Sequence, residues 1–469
     1  MNILMITIGY PPRRVGGTEV YVFGLVEALQ RLGHQCAIAY IEPFELEDGP
    51  DIRVEHRTHM SAAVSAIGVN TQHHKLEFVI FDMPLRKRLV AEFEKLVANI
   101  QPDIIHVHPL QLGFESYLIE SLNRGGHKVV LTYHSTNTSC ARGDLIFMGE
   151  KVCDGRLIQQ RCAQCLYHWK SVPKPLAKAL AKIPPRWYRS AFAALARYPL
   201  LKKLRSFTSI PIIIEERLKA WSRTMSNAKA VVAVCDWVKE TIVKNGVPVN
   251  KVTLSRHGLR LFPEMISTNR RGIVRFGYLG RISPEKGIQL LVDALGEMPA
   301  DLQYEFEFCS SSFDNSNRRP EEERLVRAIF ELQKRDGRIR VLSPISDTRL
   351  AAVLAAWDAL IVPSRWLESG PQVVYEAFAV KTPVIGSRLG GIAELVSDGE
   401  TGFLFTPGKV AELAALLKRS IEDPATLRAL RKNIQAIRTT AEVADEMLVI
   451  YNNLASASAI RSAMQSPGG

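Results

Sequence analysis

The sequence predicts an α/β protein made of two tandem, doubly wound domains. Three observations predict it. Short, wholly apolar runs alternate with helical patterns, glycines mark the strand-to-helix turns, and the rhythm restarts after a break near residue 260. At 469 residues the chain is long enough for two or three domains. With 46% hydrophobic and 23% charged residues it is an ordinary globular composition, which excludes disordered and fibrous classes.

The first run, Ile3 to Ile8, ends in Gly9 and a Pro-Pro pair and is followed by Gly16-Gly17. A helical pattern then runs from about Thr18 to Leu32 and stops at Gly33, a good residue to follow a helix. With a strand at about Gln35–Tyr40 this makes one βαβ unit, and its continuous apolar strands suit a parallel sheet covered on both faces. A helix at about Leu85–Ala98 leads to the strand Ile104-Ile105-His106-Val107, and another helix to Val129-Val130-Leu131-Thr132, ending at His134. Further on come a strand at Ala230–Val234, a helix at Trp237–Asn245 and a strand at Lys251–Leu254. After a linker at about 259–271, Val274–Leu279 starts the second domain. A helix at Glu285–Leu295 follows, and strands recur near Tyr304–Cys309, Ile339–Leu342, Ala359–Val362 and Pro383–Ile385.

The expected domains are 1–256, with 140–225 as an insertion that breaks the alternation, and 257–440. Residues 441–469 are expected to form a helix packing back on the first domain and a disordered tail. Doubly wound domains bind ligands at the carboxyl ends of their strands, here between the two sheets. No apolar run reaches about 18 residues, and the N-terminus lacks the basic start and cleavage site of a signal peptide. The expected location is the cytoplasm.

The most informative stretch is Pro363 to Glu376, PSRWLESGPQVVYE. A strand ends at Val362 and a helix is expected to begin near Pro371, where a missing N–H costs nothing. The free amides of its first turn favour an anion or diphosphate. Glu368 precedes that turn and Glu376 lies about one turn inside the helix, so two carboxylates can flank a ligand. The plainer reading is a favourable interaction of two glutamates with the helix dipole.

The Glu-x7-Glu form ESGPQVVYEA resembles the signature of retaining GT-B glycosyltransferases of family 4. YLGRISPEKG resembles that family's donor-phosphate motif, GGTEVYVFGLVEAL its N-terminal glycine loop, and DIIHVH and LTYHS its acceptor-side strands ending in histidine. GGIAELVSDGETGFLFTPG resembles its C-terminal signature. Five such motifs in the correct order span most of the chain outside residues 140–225.

The resemblance implies the GT-B fold, two Rossmann-like domains whose parallel sheets face across a cleft. It implies transfer of a hexosyl-type sugar from a UDP- or GDP-sugar to a glycan or lipid-linked acceptor with retention of configuration, in polysaccharide or lipopolysaccharide assembly. Arg281 and Lys286 would hold the donor diphosphate; two fixed cations can replace a divalent metal there, in line with the lack of an Asp-x-Asp motif. Taken alone, both would read as solvated surface charges. Glu368 would contact sugar hydroxyls and Glu376 the ribose. Ser369, Gly370 and Gln372 would line the diphosphate, and Gly17 would let the N-terminal loop approach the donor. His134 would contact the transferred sugar, with His108 on the acceptor side; without the resemblance, His134 reads as a structural histidine. Front-face attack and a covalent intermediate are both compatible with these residues. Two departures bear on donor preference and local packing: His257-Gly258 stands where the family often has Asn-Gly, and Arg340–Ser343 lacks the glycine that often follows.

Cys140, Cys153, Cys162 and Cys165 have the spacing C-x12-C-x8-C-x2-C. Four thiolates suit tetrahedral, structural zinc, since four protein ligands leave no open position. Four incidental reduced cysteines and an iron–sulfur cluster are the alternatives. The net charge of +12 is concentrated nearby: residues 166–225 hold 13 Lys or Arg against Glu215 and Glu216, or +11. Basic residues interleaved with Trp169, Trp187, Tyr188, Phe192, Tyr198, Leu200, Leu201 and Phe207 suggest peripheral docking on an anionic membrane. A solvated helical insertion is the plainer reading, and no nucleic-acid module accompanies the charge.

Two other functions are the alternatives. A sugar-nucleotide hydrolase or epimerase would need a further carboxylate or histidine base near the anomeric carbon. A non-catalytic GT-B scaffold in a glycan-assembly complex need not keep Glu368, Glu376, Arg281 and Lys286.

Overall fold

The computed structural model describes residues 1–10, 16–73, 82–108, 114–195, 198–260, 272–314, 318–342 and 345–465. The linker expected at 259–271 and the last four residues of the tail fall wholly or largely outside them. The chain divides into two compact units, Met1–Arg256 with Thr440–Gly469, and His257–Thr439.

The first unit carries β1 (Asn2–Thr7), β2 (Gln35–Phe44), β3 (Ile52–His59), β4 (Ala62–Asn70), β5 (Ile104–Val107) and β6 (Val129–Tyr133). A small hairpin, β7 (Ile146–Phe147) with β8 (Lys151–Val152), precedes β9 (Ala230–Ala233) and β10 (Val252–Leu254). The main sheet has the order β10-β9-β6-β5-β1-β2-β4-β3, and only β3 runs antiparallel. Ile3, Leu4, Met5 and Ile6 of β1 are fully buried, as a strand covered on both faces requires. The helix Gly17–Arg31 starts one residue earlier than its sequence pattern and ends before Gly33 at φ +82°, a left-handed position that glycine takes without penalty. The C-terminal helix Thr440–Gln465 belongs to this unit. It seats Val443, Ala444, Met447 and Tyr451 in the same core as Val22, Leu25 and Leu29. Gly24 admits it closely, since a Cβ there would meet Thr440 Cγ2 at 2.9 Å.

β3 and β4 form a hairpin that the sequence reading does not contain. Its turn places Met60 at φ +49° and Ser61 at φ +62°. Tight hairpin turns demand positive φ at both central residues and usually announce themselves with Asn-Gly; Met-Ser gives no such signal. The insertion that breaks the alternation is mostly helical, as its plainer reading had it: Gln159–Trp169, Lys174–Lys182, Pro185–Leu195 and Lys202–Asn227. Their apolar faces meet in a separate small core around Ala163, Leu166, Tyr167, Ala177, Tyr188 and Ile210.

The second unit carries β11 (Val274–Leu279), β12 (Tyr304–Cys309), β13 (Ile339–Leu342), β14 (Ala359–Val362), β15 (Val384–Ser387) and β16 (Gly402–Phe405), in the order β13-β12-β11-β14-β15-β16, all parallel. β11 continues to β12 on one side, while β14 continues to β15 on the other. The loops after β11 and β14 therefore diverge at the topological switch point, where a crevice opens at the carboxyl ends of the strands. The first unit has its own switch point, between β1 and β5.

Candidate functional site

In the second unit the loop 280–287 leaves β11 and the loop 363–371 leaves β14. The first closes in a short 3-10 turn, Pro284–Lys286, and enters the helix Ile288–Gly296 through Gly287. Gly287 sits at φ +73°, and a Cβ there would come within 1.8 Å of the Pro363 carbonyl oxygen. The two loops thus touch backbone to backbone, which only glycine allows.

This contact brings Lys286 to Glu368. Lys286 Nζ donates to Glu368 Oε1 at 2.6 Å, Ser364 Oγ donates to the same oxygen at 2.8 Å, and Trp366 Nε1 at 2.7 Å. Glu368 is only 7% exposed. Burial alone would push its carboxyl up, but the Lys286 charge and these hydrogen bonds outweigh it, and the group is held below the usual carboxylate range. The backbone of Glu368 is fixed as well, since Gly391 N–H donates to its carbonyl at 2.7 Å.

The other expected residues surround this pair unequally. Arg281 is exposed, and Tyr278 Oη donates to its carbonyl oxygen at 2.6 Å. Ser369 and Gly370 are half-buried in the loop after β14. The following helix, Gln372–Ala379, begins one residue later than expected, with Pro371 as its cap, and Glu376 lies half-buried in its second turn. Gln372 Nε2 lies 3.1 Å from His257 Nδ1, so this side chain is spent on positioning. A Cβ on Gly370 would come within 2.4 Å of the same ring nitrogen. Burial lowers the His257 pKa to about 4, with Arg438 adding to the shift and a backbone hydrogen bond to Gly370 opposing it. His257 is therefore a neutral strut beneath the loop. The structure gives it a role that the sequence showed only as a departure from a pattern. Two hydroxyls, Ser283 in the loop after β11 and Ser387 at the end of β15, are buried with no hydrogen-bond partner among the described residues.

In the first unit, His108 and His134 end β5 and β6, beside the switch point. The strands bring their rings together: His108 Nδ1 lies 2.8 Å from His134 Nε2, and the rings stack at 5.1 Å. Tyr21, one turn into the helix that Gly17 begins, packs edge-on against His134 at 4.7 Å. Gly17 itself is exposed. Behind the pair, His106 Nδ1 lies 2.6 Å from Tyr451 Oη and Nε2 lies 2.6 Å from Thr132 Oγ1. Burial lowers the His106 pKa to about 3, so this ring stays neutral. Tyr21, His106, Trp366 and Ser364 were missed as candidate residues. For Tyr21 the legible signal was its place one turn beyond a glycine loop.

The four cysteines of the insertion line a single cavity. Among the described residues no group of three or more His, Cys, Asp or Glu side chains is placed so as to hold a metal ion. Nor is any helix among them long and apolar enough to cross a membrane.

Comparison with known proteins gives the same division. Residues 15–197 match the family described as Glycosyltransferase Family 4, and residues 270–436 match Glycosyl transferases group 1. The 2-deoxystreptamine glucosyltransferase of Streptomyces kanamyceticus is 33% identical over 153 residues, 33% of this chain and 38% of that one. The MMP alpha-(1->4)-mannosyltransferase of Mycolicibacterium hassiacum is 31% identical over 173 residues, 36% and 40% of the two chains. The chain thus spans about two-fifths of these relatives' length. Sucrose-phosphate synthase from Thermosynechococcus elongatus superposes with a TM-score of 0.64 at 20% identity, covering 97% of this chain and 99% of that one. HepE from Anabaena, solved with UDP and glucose, gives 0.61 at 16%, covering 96% and 99%. The fold is GT-B, and each half of the chain carries a glycosyltransferase family domain.

Proposed function

We propose that the protein transfers a hexosyl sugar from a nucleoside diphosphate donor to a glycan or lipid-linked acceptor, retaining anomeric configuration and needing no catalytic metal. The observation that carries this reading is the Lys286–Glu368 pair, assembled from two loops that leave adjacent parallel strands at a switch point. Charge develops on a leaving diphosphate as the glycosidic bond breaks. Lys286 and the exposed Arg281 supply fixed positive charge for it, the work a divalent metal does elsewhere. Glu368, held ionised, accepts hydrogen bonds from sugar hydroxyls, and Glu376 accepts from the ribose. The Ser283 and Ser387 hydroxyls offer further donors to the same ligand. His134, hydrogen-bonded to His108, contacts the transferred sugar. A UDP- or GDP-sugar is the expected donor, and polysaccharide or lipopolysaccharide assembly the expected setting.

The membrane surface belongs to the same proposal. Eight of the nineteen exposed large apolar residues among those described fall between Trp169 and Leu204, including Trp187 at 65% and Leu200 at 99% exposure. Lys170, Lys174, Lys178, Lys182, Arg186 and Arg189 are exposed among them. Apolar side chains interleaved with cations suit the interface of an anionic bilayer. On this reading the protein works at the cytoplasmic leaflet.

Donor binding is tested by thermal shift with UDP-, GDP-, ADP- and TDP-sugars in EDTA. One nucleotide class should stabilise the protein, and Lys286→Ala should abolish the shift. No shift with any donor or free nucleoside diphosphate sinks the reading. Flotation on liposomes tests the surface: binding should favour anionic lipid and weaken on Trp187→Ser with Leu200→Ser, and indifference to lipid charge removes that part.

A further inference from the structure

The insertion holds a set of groups that the transfer reaction does not use. Cys140 follows the short turn Thr136–Thr138, and Cys153 follows β8. Cys162 and Cys165 stand three apart on one face of the helix Gln159–Trp169. Three separate segments thus deliver four thiols to one cavity of about 30 Å³, room for an ion or one or two waters. Cys140 lies within electrostatic reach of each of the other three.

Burial pushes the Cys153, Cys162 and Cys165 thiols up, and nearby backbone amides, with guanidiniums at Cys153 and Cys165, oppose that shift. Met148 N–H donates to Cys165 Sγ at 3.2 Å, and the backbone amides of Gly155 and Ile158 serve Cys153 and Cys162. A neutral thiol is a weak acceptor, whereas a metal-bound thiolate is steadied by such amides. Arg161 Nη2 lies 3.8 Å from Cys153 Sγ, and Arg142 interacts with Cys165. Four thiolates around a divalent cation leave two negative charges, and two guanidiniums, steadied by Asp154 and Asp144, stand beside them. As they stand, the four cysteines line one cavity but their side chains are not arranged to hold an ion.

We propose that Cys140, Cys153, Cys162 and Cys165 bind one zinc ion through four thiolates, as a structural site. Four soft sulfur donors select a tetrahedral ion and leave no open position for substrate. Four Zn–S bonds form, four protons pass to solvent, and nothing is oxidised or reduced. The ion would staple a loop with little regular structure, in which Leu145 and Met148 both stand at positive φ. That loop begins at the end of the strand that positions His134, and Tyr133 Oη lies 2.5 Å from Ser139 Oγ, one residue before Cys140.

The test is elemental analysis of the full chain, purified without chelator. About one zinc per chain is expected, released by a thiol-specific mercurial. Cobalt exchanged into the wild-type protein should show the visible bands and thiolate charge-transfer absorption of a tetrahedral sulfur site. Cys162→Ser and Cys165→Ser should each leave less than about 0.2 equivalents. Should either variant fail to fold, the cobalt spectrum of the wild type still decides. Wild-type protein with less than about 0.2 equivalents and four freely reactive thiols overturns the proposal, as does a disulfide found by mass or iron with acid-labile sulfide.

Discussion

Two switch points, one in each sheet, are furnished in opposite ways. In the second unit the strand ends present an ion pair, Lys286 with Glu368, braced by Ser364 and Trp366. In the first, the corresponding strand ends present a pair of histidines packed against Tyr21, backed by a third histidine that burial keeps neutral. Strand ends beside a switch point thus carry an ion pair in one unit and stacked, hydrogen-bonding imidazoles in the other. Fixed charge suits a diphosphate, whose own charge must be offset. Imidazole rings suit hydroxyl groups, which must be oriented and relieved of a proton. If the comparison holds, variants at the two places fail differently.

The largest effect is expected from Lys286→Ala. It removes a cation from the leaving group and strands a buried carboxylate, so transfer should fall by about 10²–10³-fold with donor binding lost. Stability should fall by about 2–3 kcal/mol, below the cost of a fully buried pair because the Lys286 side chain is 21% exposed. The pH dependence carries the sign. The Glu368 carboxyl is depressed in the folded chain, so its contribution is present above the unfolded value of about 4.3 and lost as pH falls through the folded value. The stability gap between wild type and Lys286→Ala, measured by denaturant titration, should be widest near neutrality and narrow below about pH 4. A gap independent of pH would show that Lys286 acts by packing.

His134→Ala should lower kcat by about 10²-fold while the donor-induced thermal shift survives. His108→Ala, acting through its hydrogen bond to His134, should cost about 10-fold, and the double variant little more than His134→Ala. Additive losses, or loss of donor binding in His134→Ala, would break the contrast between the two switch points.

Sequence reading reached these sites unevenly, for physical reasons. Glu368, Lys286 and His134 stand at strand ends flagged by apolar runs and glycines, which periodicity makes visible. The Glu368 bracing did not show, because Ser364 and Trp366 meet it through the bend of a loop, where periodicity has no hold. The β3–β4 hairpin was hidden by its Met60-Ser61 turn. Pro211 lies inside the helix Lys202–Asn227, a position that local propensity disfavours. The pairing of His106 with Tyr451 joins residues 345 positions apart and needs the C-terminal helix in place.

His106 sharpens the comparison through acid stability. Its pKa is about 3 in the folded chain against 6.5 when free. Unfolded chains therefore bind a proton that the folded chain refuses, and stability drains away as pH falls from about 6.5 toward 3. His106→Gln should cost about 1–2 kcal/mol at pH 7 and lose part of that acid slope, so the two stability curves converge toward pH 4–5. Parallel curves would mean that the ring is no more than packing behind the histidine pair.

Trp366→Phe is the finest probe of the charged side. The indole N–H is one of three donors to Glu368 Oε1, and its ring centroid lies 5.7 Å from Lys286 Nζ. Phenylalanine keeps an aromatic face toward the ammonium and deletes only the donor. A hydrogen bond to a charged group contributes about 1.5–3 kcal/mol, but Ser364 and Lys286 remain to hold the oxygen, so the loss should sit near the low end. Transfer should fall by no more than about 10-fold, with KM for the donor rising more than kcat falls, since Glu368 stays ionised but less firmly placed. A loss as large as that of Lys286→Ala would mean that the carboxylate depends on the whole bracing shell acting as one unit, and not chiefly on the ammonium. A loss confined to kcat would move the indole from positioning the carboxylate to stabilising the transition state itself.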